Sequence, residues 1–395
     1  MAASRTIVIA GAGIGGLTAS LALVGAGFRV VILEREQKLE EAGAGLQLSP
    51  NATRVLIDLG VEPLLRPKIV APDAVSIMTA RTGKEIGRIP LGEDATFRYG
   101  APYWLVRRAD LQSALLAKVK DHPDIDLRLG AQFEDVATYP KGVTVVERKG
   151  LARNQETALA LIGADGVWSA VRHQLFPEAR PQFTGSIAWR GTVEAAQLPR
   201  EFNARRVQLW MGPNAHLVAY PLTGGQRINM VAVVSGTWNR PGWSEHGDAA
   251  DLAQHFTAPQ WPIPPRMMIG AVESWRKWAL FAVPDGGVWA KGNIALLGDA
   301  AHAMLPFVAQ GAGMAIEDAA TLARCLKDTP DISKAFARYE KLRAPRVRAV
   351  QRAARQTGQI YHLRGAMAFA RDQVMRSLGG EKLRARQDWI YDWRG

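Results

Sequence analysis

A single acidic residue, Asp299, stands in a glycine-rich stretch late in the chain. It follows the apolar run NIALLG, and no other charged residue occurs until Glu317. A carboxylate at the end of a predicted strand can cap a helix, bind a metal, act as a base or accept hydrogen bonds from a polyhydroxyl ligand. His302 lies nearby without a second ligand at metal-binding spacing, so we expect a local hydrogen bond for His302 and no metal.

The run HLVAYPL contains His216 and Tyr220, the residues best suited to moving a proton. On a strand, residues four apart project from the same face, about 13 Å apart along the backbone. The pKa of histidine lies near neutrality, so a positioned imidazole can act as a general base. The pair could flank and deprotonate a ring, or it could make only structural hydrogen bonds within a sheet.

The first glycine-rich stretch, GAGIGG, has the spacing of a dinucleotide-binding turn. Gly11 allows the tight turn, Gly13 lets a pyrophosphate approach, and Gly16 allows close packing of helix on strand. Ile14 and Gly15 open the helix, whose N-terminal N–H groups would face the phosphates. The alternative is that these glycines serve packing alone.

Glu34 ends the next predicted strand, at the distance from the turn where a carboxylate binds an adenosine ribose. A carboxylate disfavours a 2′-phosphate, so the pattern favours FAD or NAD over NADP. Arg35 and Gln112 are weaker candidates for a contact near the pyrophosphate.

The elements around these motifs indicate an α/β fold. Strand, glycine turn, helix and strand follow one another in the first residues, as in a βαβ unit. Residues 105–122 predict an amphipathic helix. From about residue 180 the pattern alternates and is β-rich, and strand signals return at 288–298 before a helix over about 312–327.

We therefore expect a Rossmann-like FAD-binding domain with an inserted β-sheet substrate domain and a C-terminal helical region. The expected division is 1–70, 98–178 and 285–330 for the discontinuous FAD-binding domain, 71–97 and 179–284 for the β-rich substrate domain, and 331–395 for the C-terminal helical region.

The composition limits the classes of protein to which the chain can belong. The chain has 395 residues, a net charge of +12 and one cysteine, Cys325, which excludes an internal disulfide and suggests a reducing cytoplasm. The uncharged stretch from Thr6 to Phe28 is interrupted by glycines, so we expect no transmembrane helix and no signal peptide. Arginines recur at helical spacing near the C-terminus, and we expect a solvated helix face there rather than a nucleic-acid site.

Three motifs in order resemble the single-component FAD-dependent aromatic hydroxylases of the para-hydroxybenzoate hydroxylase type. They are GAGIGG, GADGVWSAVR (163–172) and GDAAHAMLPFVAQGAGMAIED (298–318), and the resemblance extends to about residue 345. The stretches at 43–60, 184–193 and 216–222 are similar to the salicylate hydroxylase, hydroxybenzoate hydroxylase and 6-hydroxynicotinate monooxygenase branch.

The resemblance implies the cofactor contacts. Asp299 would bind the ribitol hydroxyls of FAD, and Pro306 would line the flavin edge. A helix that starts at Gly311, Ala312 and Gly313 would point at the flavin pyrimidine ring, where its dipole stabilises negative charge.

Four further residues are placed at the cofactor by the same resemblance. Arg108, with the adjacent Arg107 as the alternative, would lie near the pyrophosphate, and Gly45 and Leu46 belong to a loop facing the flavin. Asp165 would support FAD, although it could equally cap the helix that follows Ser169.

The implied activity is NAD(P)H-consuming hydroxylation of a small phenolic or hydroxy-heteroaromatic acid through a flavin C4a-hydroperoxide. His216, Tyr220 and Gln47 are the candidate catalytic residues, and with Arg190 and Pro306 they are expected to contact the substrate. Relatives acting on hydroxypyridines have histidine in place of Gln47, and an amide cannot act as a base. Arg190 could bind a substrate carboxylate or a structural acid.

Two other functions are compatible with the motifs. The same fold could act on a larger polyketide, quinone or isoprenoid, or the chain could be a flavin redox sensor with a nucleic-acid-binding tail. We expect the first-named activity, with a small aromatic substrate, O2 and NAD(P)H as partners, no nucleic acid or membrane, and a monomer or homodimer.

Overall fold

A computed structural model describes residues 5–39, 45–199, 202, 205–242 and 244–395. Gly43 and Ala44, which begin one of the motif stretches, lie outside the described residues. The described strands are β1 (Thr6–Ala10), β2 (Arg29–Glu34), β3 (Gly45–Leu48), β4 (Ala74–Thr79), β5 (Glu85–Pro90), β6 (Trp104–Arg107), β7 (Ile125–Leu129), β8 (Gln132–Tyr139), β9 (Gly142–Lys149), β10 (Ala152–Ala158), β11 (Ala160–Gly163), β12 (Gln182–Glu194), β13 (Arg206–Gly212), β14 (Ala215–Leu222), β15 (Arg227–Ser235), β16 (Glu245–Gly247), β17 (Trp275–Ala282), β18 (Ala290–Lys291) and β19 (Ile294–Leu296).

The described α-helices are α1 (Ile14–Gly25), α2 (Pro50–Asp58), α3 (Glu62–Leu65), α4 (Gly92–Tyr99), α5 (Arg108–Lys120), α6 (Ala170–Leu175), α7 (Ala249–Ala253), α8 (Ile263–Gly270), α9 (Asp299–His302), α10 (Gly311–Asp328), α11 (Ile332–Tyr361), α12 (Gly365–Ala385) and α13 (Asp388–Tyr391). None of the described helices has the length and apolar character that crossing a membrane requires.

A six-stranded sheet carries the nucleotide motifs, in the order β18-β19-β11-β1-β2-β7. Five of its strands are parallel, and only β18 pairs in the antiparallel sense. All five residues of β1 are buried, as expected of a parallel strand covered by helices on both faces. The carboxyl ends of β1, β11 and β19 therefore meet at one edge, where ligands bind in open α/β sheets.

An eight-stranded mixed sheet faces this edge, in the order β16-β17-β12-β15-β14-β13-β4-β5. Its first two strands along the chain, β4 and β5, come from residues 74–90, and the chain then returns to the parallel sheet before the remaining strands follow. Strands β3 and β6 pair with each other in a separate two-stranded sheet. Along the chain, each of them comes between a strand of one larger sheet and a strand of the other. The fold is the mixed α/β arrangement expected for an FAD-binding chain.

Two predictions about helices need correction. The segment 105–122 is not helical throughout, because its first residues complete β6, which pairs with β3, and α5 begins only at Arg108. The basic face of α11 is not uniformly solvated, because Arg343 is only 1% exposed and lies against α10. The exposed part of that face begins further along, at Arg352 and Arg355.

Candidate active site

A cavity of about 360 Å³ lies between the edge of the parallel sheet and one face of the large sheet. Most of the residues predicted from sequence line it: Gly13, Ile14, Gly15, Gly45, Leu46, Gln47, Arg108, Arg190, His216, Tyr220, Asp299, Pro306, Gly311 and Ala312. The predicted residues that do not line this cavity are Gly11, Gly16, Glu34, Arg35, Asp165 and Gly313.

The glycines of the first turn divide into packing positions and an open position. Gly11 has φ +104°, and a β-carbon there would lie 2.5 Å from Ala164 O. A β-carbon at Gly16 would lie 2.0 Å from Gly11 O, so only glycine lets α1 start this close to β1. At Gly13 a β-carbon would meet nothing within 4 Å, so this position leaves space at the N-terminus of α1 for a phosphate.

Glu34 braces the same turn from the end of β2. Its carboxylate accepts a hydrogen bond from Ala12 N at 2.8 Å and from Glu36 N at 2.9 Å. The Arg35 side chain is exposed, and its Nε lies 3.3 Å from Glu36 Oε1. A carboxylate has lone pairs beyond those used by two N–H donors, so Glu34 can still accept from a ribose hydroxyl.

The stretch after β19 presents polar groups to the cavity. The Asp299 carboxylate, half-buried, has no hydrogen-bonding partner among the described residues. Helix α10 starts at Gly311 without a side-chain cap, and a β-carbon at Gly311 would meet nothing within 4 Å. Ala309, just before it, adopts the left-handed φ of +52°, a conformation that costs free energy in a non-glycine residue and is found mostly at functional sites.

Gly313 and the short strand β3 complete this side of the site. A β-carbon at Gly313 would lie 2.8 Å from Gln310 Oε1, so this glycine serves packing inside the first turn of α10. On β3, Gln47 Oε1 accepts a hydrogen bond from Tyr103 OH at 2.9 Å. Because its carbonyl is already engaged, Gln47 offers its amide NH₂ group to a ligand.

The opposite wall is formed by strand β14 and its neighbours. His216, Val218 and Tyr220 alternate along β14 and all line the cavity. Val231 and Val233 on β15 line the same wall, which is therefore apolar between two polar side chains. An aromatic ring suits such a wall.

Burial affects the two polar side chains in opposite ways. Burial, together with the neighbouring His362, holds the pKa of His216 well below its usual range. Burial raises the pKa of Tyr220. At neutral pH His216 is therefore an uncharged proton acceptor, and Tyr220 is a hydroxyl donor.

His216 has a partner that was not predicted. Its Nδ1 lies 2.9 Å from Nε2 of His362, the residue that follows α11. Phe307 and Tyr361 pack edge-on against His216, each with its ring centroid 5.3 Å away. The pairing spans 146 residues of chain, and no local motif could have indicated it.

The second motif, GADGVWSAVR (163–172), contributes the cap of helix α6. Asp165 accepts hydrogen bonds from Ser169 Oγ at 2.5 Å and Ala170 N at 2.7 Å, so its carboxylate caps α6. Burial raises the pKa of Asp165, although these hydrogen bonds oppose the shift. Arg172, buried behind the motif, donates to Ala300 O at 2.7 Å and fastens α6 to the loop that carries Asp299.

A buried polar network supports that loop and was missed by the sequence analysis. Asp318 on α10 accepts from Gly298 N at 3.0 Å and contacts His302 Nε2 at 2.6 Å. Burial alone would raise the pKa of Asp318, but His302 and Arg343 outweigh burial and hold it at about 2. His302 is thus a local hydrogen-bonding residue that does not line the cavity. The described residues contain no cluster suited to a metal ion.

The same network reaches the loop after β3. Glu317 accepts from Asn51 Nδ2 at 2.6 Å and from Arg346 Nε at 2.7 Å, and it is paired with Arg343. Gln310 Nε2 donates to Ser49 Oγ at 2.8 Å, which links the start of α10 to the start of α2. Ser49 and Asn51 lie in the stretch 43–60, and Glu317 and Asp318 end the third motif. These residues were the available signal, but their buried partners were not visible in sequence.

Arg190 supplies positive charge at the far end of the cavity. Its guanidinium lies 5.2 Å from the Trp278 ring centroid, in cation–π geometry, and its NH2 group lies 3.4 Å from Ser244 Oγ. The arrangement suits a planar anion placed over the wall of β14 and β15.

The residues present fit FAD. Open space at Gly13 faces an uncapped helix start, the Asp299 carboxylate is available to hydroxyls, and the uncapped start of α10 can face a flat ring near Gly311. These groups converge on one cavity.

Comparisons with known proteins agree with this geometry. The FAD binding domain family matches residues 4–354. The chain is 34% identical to the 3-hydroxybenzoate 6-hydroxylase of Klebsiella oxytoca, over 100% of this chain and 98% of the relative. It is 38% identical to the 3-amino-4-hydroxybenzoate 2-monooxygenase PtmB3 of Streptomyces platensis, over 93% of this chain and 92% of the relative.

Among solved structures, a salicylate hydroxylase substrate complex superposes with a TM-score of 0.82 and 25% identity, covering 98% of this chain and 95% of that one. The resemblance noted from the three motifs is confirmed. The chain belongs to the FAD binding domain family and, within it, to the FAD-dependent aromatic monooxygenases.

Proposed function

We propose that this enzyme uses NAD(P)H and O2 to hydroxylate a small phenolic or hydroxy-heteroaromatic acid. The observation that carries the proposal is the placement of His216 and Tyr220 on one apolar wall of the cavity that also holds Asp299 and the start of α10. When bound, FAD supplies electron transfer from the nicotinamide and activation of O2. The chain's own residues must bind and orient the ring, exclude water and manage its hydroxyl proton.

The proton chemistry follows from the two protonation states. His216 is uncharged at neutral pH, so its lone pair can accept the proton of the substrate hydroxyl; the burial that lowers its pKa also makes it a weak base, which holds that proton only briefly. Tyr220, held protonated by burial, can donate a hydrogen bond to the oxygen that becomes negative. A deprotonated hydroxyl increases the electron density of the ring, which makes the ring more reactive towards an electrophilic oxygen donor.

Substrate selection follows from the charge and size of the cavity. Arg190 offers a counter-ion for a carboxylate, and the Gln47 amide offers a hydrogen-bond donor. A volume of about 360 Å³ shared with a flavin favours a single ring over a polyketide or isoprenoid. The named relatives act on hydroxybenzoates according to their names, which supports the same substrate class here.

The remaining roles are proposed with the function. We propose that Gly11, Gly13, Ile14, Gly15, Gly16, Glu34, Arg35, Gly45, Leu46, Arg108, Asp165, Asp299, Pro306, Gly311, Ala312 and Gly313 form the FAD site, directly or through the turns they support. We propose the cytoplasm as the compartment, since NAD(P)H is available there, and a monomer or homodimer as the assembly. We also propose that the chain divides into a discontinuous FAD-binding domain (1–70, 98–178 and 285–330), a β-rich substrate domain (71–97 and 179–284) and a C-terminal helical region (331–395).

The test is a substrate panel. Purified yellow holoenzyme is mixed with NADH or NADPH and with salicylate, 3-hydroxybenzoate, 4-hydroxybenzoate or 6-hydroxynicotinate, and with benzoate as the matched control that lacks a hydroxyl. We expect at least one hydroxy acid to yield hydroxylated product in proportion to the NAD(P)H oxidised, and benzoate to yield none. A protein that takes up no FAD, or that forms product from none of these acids, would contradict the proposal.

A further inference from the structure

A second cavity lies on the other side of the His216–His362 pair. Its volume is about 580 Å³, and its lining includes His362, Phe307 and Leu305. Exposed side chains such as Gln359 and Arg355 also line it, so this outer cavity opens to solvent. Met304 lines both cavities, which places the two spaces back to back.

The two imidazoles form the polar contact between these spaces. His216 lines the inner cavity, and His362 lines the outer one. With His216 Nδ1 and His362 Nε2 engaged at 2.9 Å, each ring keeps one nitrogen without a protein partner among the described residues. These are His216 Nε2 on the inner side and His362 Nδ1 on the outer side.

Aromatic packing closes the wall around the pair. Phe307 contacts both imidazoles, with ring centroids 5.3 Å from His216 and 6.1 Å from His362. Phe307 can sit this close to α11 because residue 358 is glycine, where a β-carbon would lie 2.5 Å from the Phe307 ring. Phe307 thus lies against both imidazoles at the point where they connect the two cavities.

The inner histidine is poorly suited to storing a proton. Burial lowers the pKa of His216 well below its usual range and that of His362 to about 4. A proton that reaches this pair at neutral pH therefore has to move on. The direction away from the substrate leads through His362 to the outer cavity.

We propose that His216 and His362 form a proton relay that carries the substrate's hydroxyl proton from the inner cavity to water in the outer cavity. The O–H bond of the substrate breaks and its proton binds His216 Nε2, while the electron pair stays on the oxygen. His216 Nδ1 passes its own proton to His362 Nε2, and His362 Nδ1 releases a proton to water. No electrons are transferred, and the reverse sequence reprotonates the product and restores both tautomers.

This inference rests on the proposed function and deepens it by assigning a role to a residue outside the FAD site. His362 does not line the inner cavity, where the substrate and the cofactor would bind. It is therefore a positioning residue that acts through His216. A merely structural role would orient His216 without providing a path for the proton. The experiment below separates the two.

The experiment measures proton release without turnover. Holoenzyme with oxidised FAD is mixed rapidly with a hydroxy acid that the wild type hydroxylates, such as 3-hydroxybenzoate, in weakly buffered solution with a pH-indicator dye. The variants are His362→Ala, His362→Gln, and Gln359→Ala as a matched control in the outer cavity. Each is measured with and without added imidazole, which the outer cavity can admit.

We expect both His362 variants to release the proton at least about tenfold more slowly than wild type, while the dissociation constant of the acid changes little. Imidazole should restore the rate in His362→Ala but not in His362→Gln, whose side chain fills the space. Gln359→Ala should match wild type. If alanine prevents folding, slow release in His362→Gln with normal FAD content supports the relay.

Two results would overturn the relay. One is proton release in both His362 variants at the wild-type rate. The other is slow release in His362→Ala that imidazole does not restore. Failure of the wild type to hydroxylate any acid would instead overturn the proposed function, and the relay with it.

Discussion

Two side chains on one strand acquire complementary protonation states from the same burial. His216 and Tyr220 lie four residues apart on β14 and are each only 3% exposed. Desolvation disfavours the charged form of each group, so the imidazole stays neutral with a lone pair free to accept, while the phenol stays protonated. The site thus presents one acceptor and one donor to a hydroxylated ring.

The first prediction concerns the acceptor. His216→Gln should lower kcat by about 10²- to 10⁴-fold, because a positioned general base is lost, while FAD content stays normal. The measurement is steady-state product formation, with KM recorded alongside. His246→Gln, which changes an exposed histidine outside the cavity, should retain wild-type kcat. A His216 variant with wild-type kcat would rule out the assigned role.

The second prediction concerns the Asp299 carboxylate. Asp299→Ala should weaken FAD binding by about 10- to 100-fold, since hydrogen bonds to a charged group contribute about 1.5–3 kcal/mol. Titration of apoprotein with FAD, followed by flavin fluorescence, gives the dissociation constant. Asp328→Ala at the exposed end of α10 serves as the control and should bind FAD normally. Equal affinities in the two variants would show that Asp299 does not hold the cofactor.

At the scale of elements, helix α11 packs against α10 and stabilises the loops that border the site. Arg343 is buried against Glu317 and Asp318 of α10, and Asp318 in turn holds Gly298, the residue before Asp299. Glu317 binds Asn51 at the start of α2. One arginine from the C-terminal helices therefore stabilises the positions of two loops that border the cavity.

The third prediction follows from that burial. Arg343→Met should lower the free energy of unfolding by about 3–5 kcal/mol, because it removes the buried guanidinium that pairs with both Glu317 and Asp318. Arg352→Met, an exposed arginine on the same helix, should change stability by no more than about 0.5 kcal/mol. Denaturant titration of both holoproteins measures the difference. Similar losses in the two variants would contradict a special role for the buried network.

The sequence predicted those parts of the site that depend on local geometry. The turn at Gly11–Gly16 and the helix start at Gly311 belong to continuous motifs, in which strand, turn and helix follow one another. Arg343 was misjudged, since helical spacing shows which residues share a face but not which partner covers it. His362 was missed because its contact with His216 joins segments 146 residues apart in the chain, which only the folded structure brings together.

For the whole molecule, pH acts on stability through the buried imidazoles. The pKa of His362 is about 4 in the folded chain, against an ordinary value of 6.5. As pH falls through this window the unfolded chain takes up protons before the folded chain does, so folding loses stability. His216, whose pKa is also lowered, acts in the same direction.

The fourth prediction tests this linkage. Between pH 6.5 and 4, His362→Gln should lose less stability than wild type, by at most about 1.4 kcal/mol for each pH unit. Unfolding free energies at several pH values, measured by denaturant titration, give the two slopes. His246→Gln should keep the wild-type slope. Parallel slopes for wild type and His362→Gln would show that His362 is not desolvated in the folded chain.

The central claim is that the two sheets bring a phenol-deprotonating pair and an FAD site into one cavity to insert oxygen into an aromatic ring. The most direct measurement is mass spectrometry of the product formed by holoenzyme, NAD(P)H and a hydroxybenzoate under ¹⁸O₂. The account predicts a product carrying one ¹⁸O atom on the ring, formed in proportion to the NAD(P)H oxidised. An unlabelled product, or oxidation of NAD(P)H with all of the oxygen recovered as hydrogen peroxide, would contradict it.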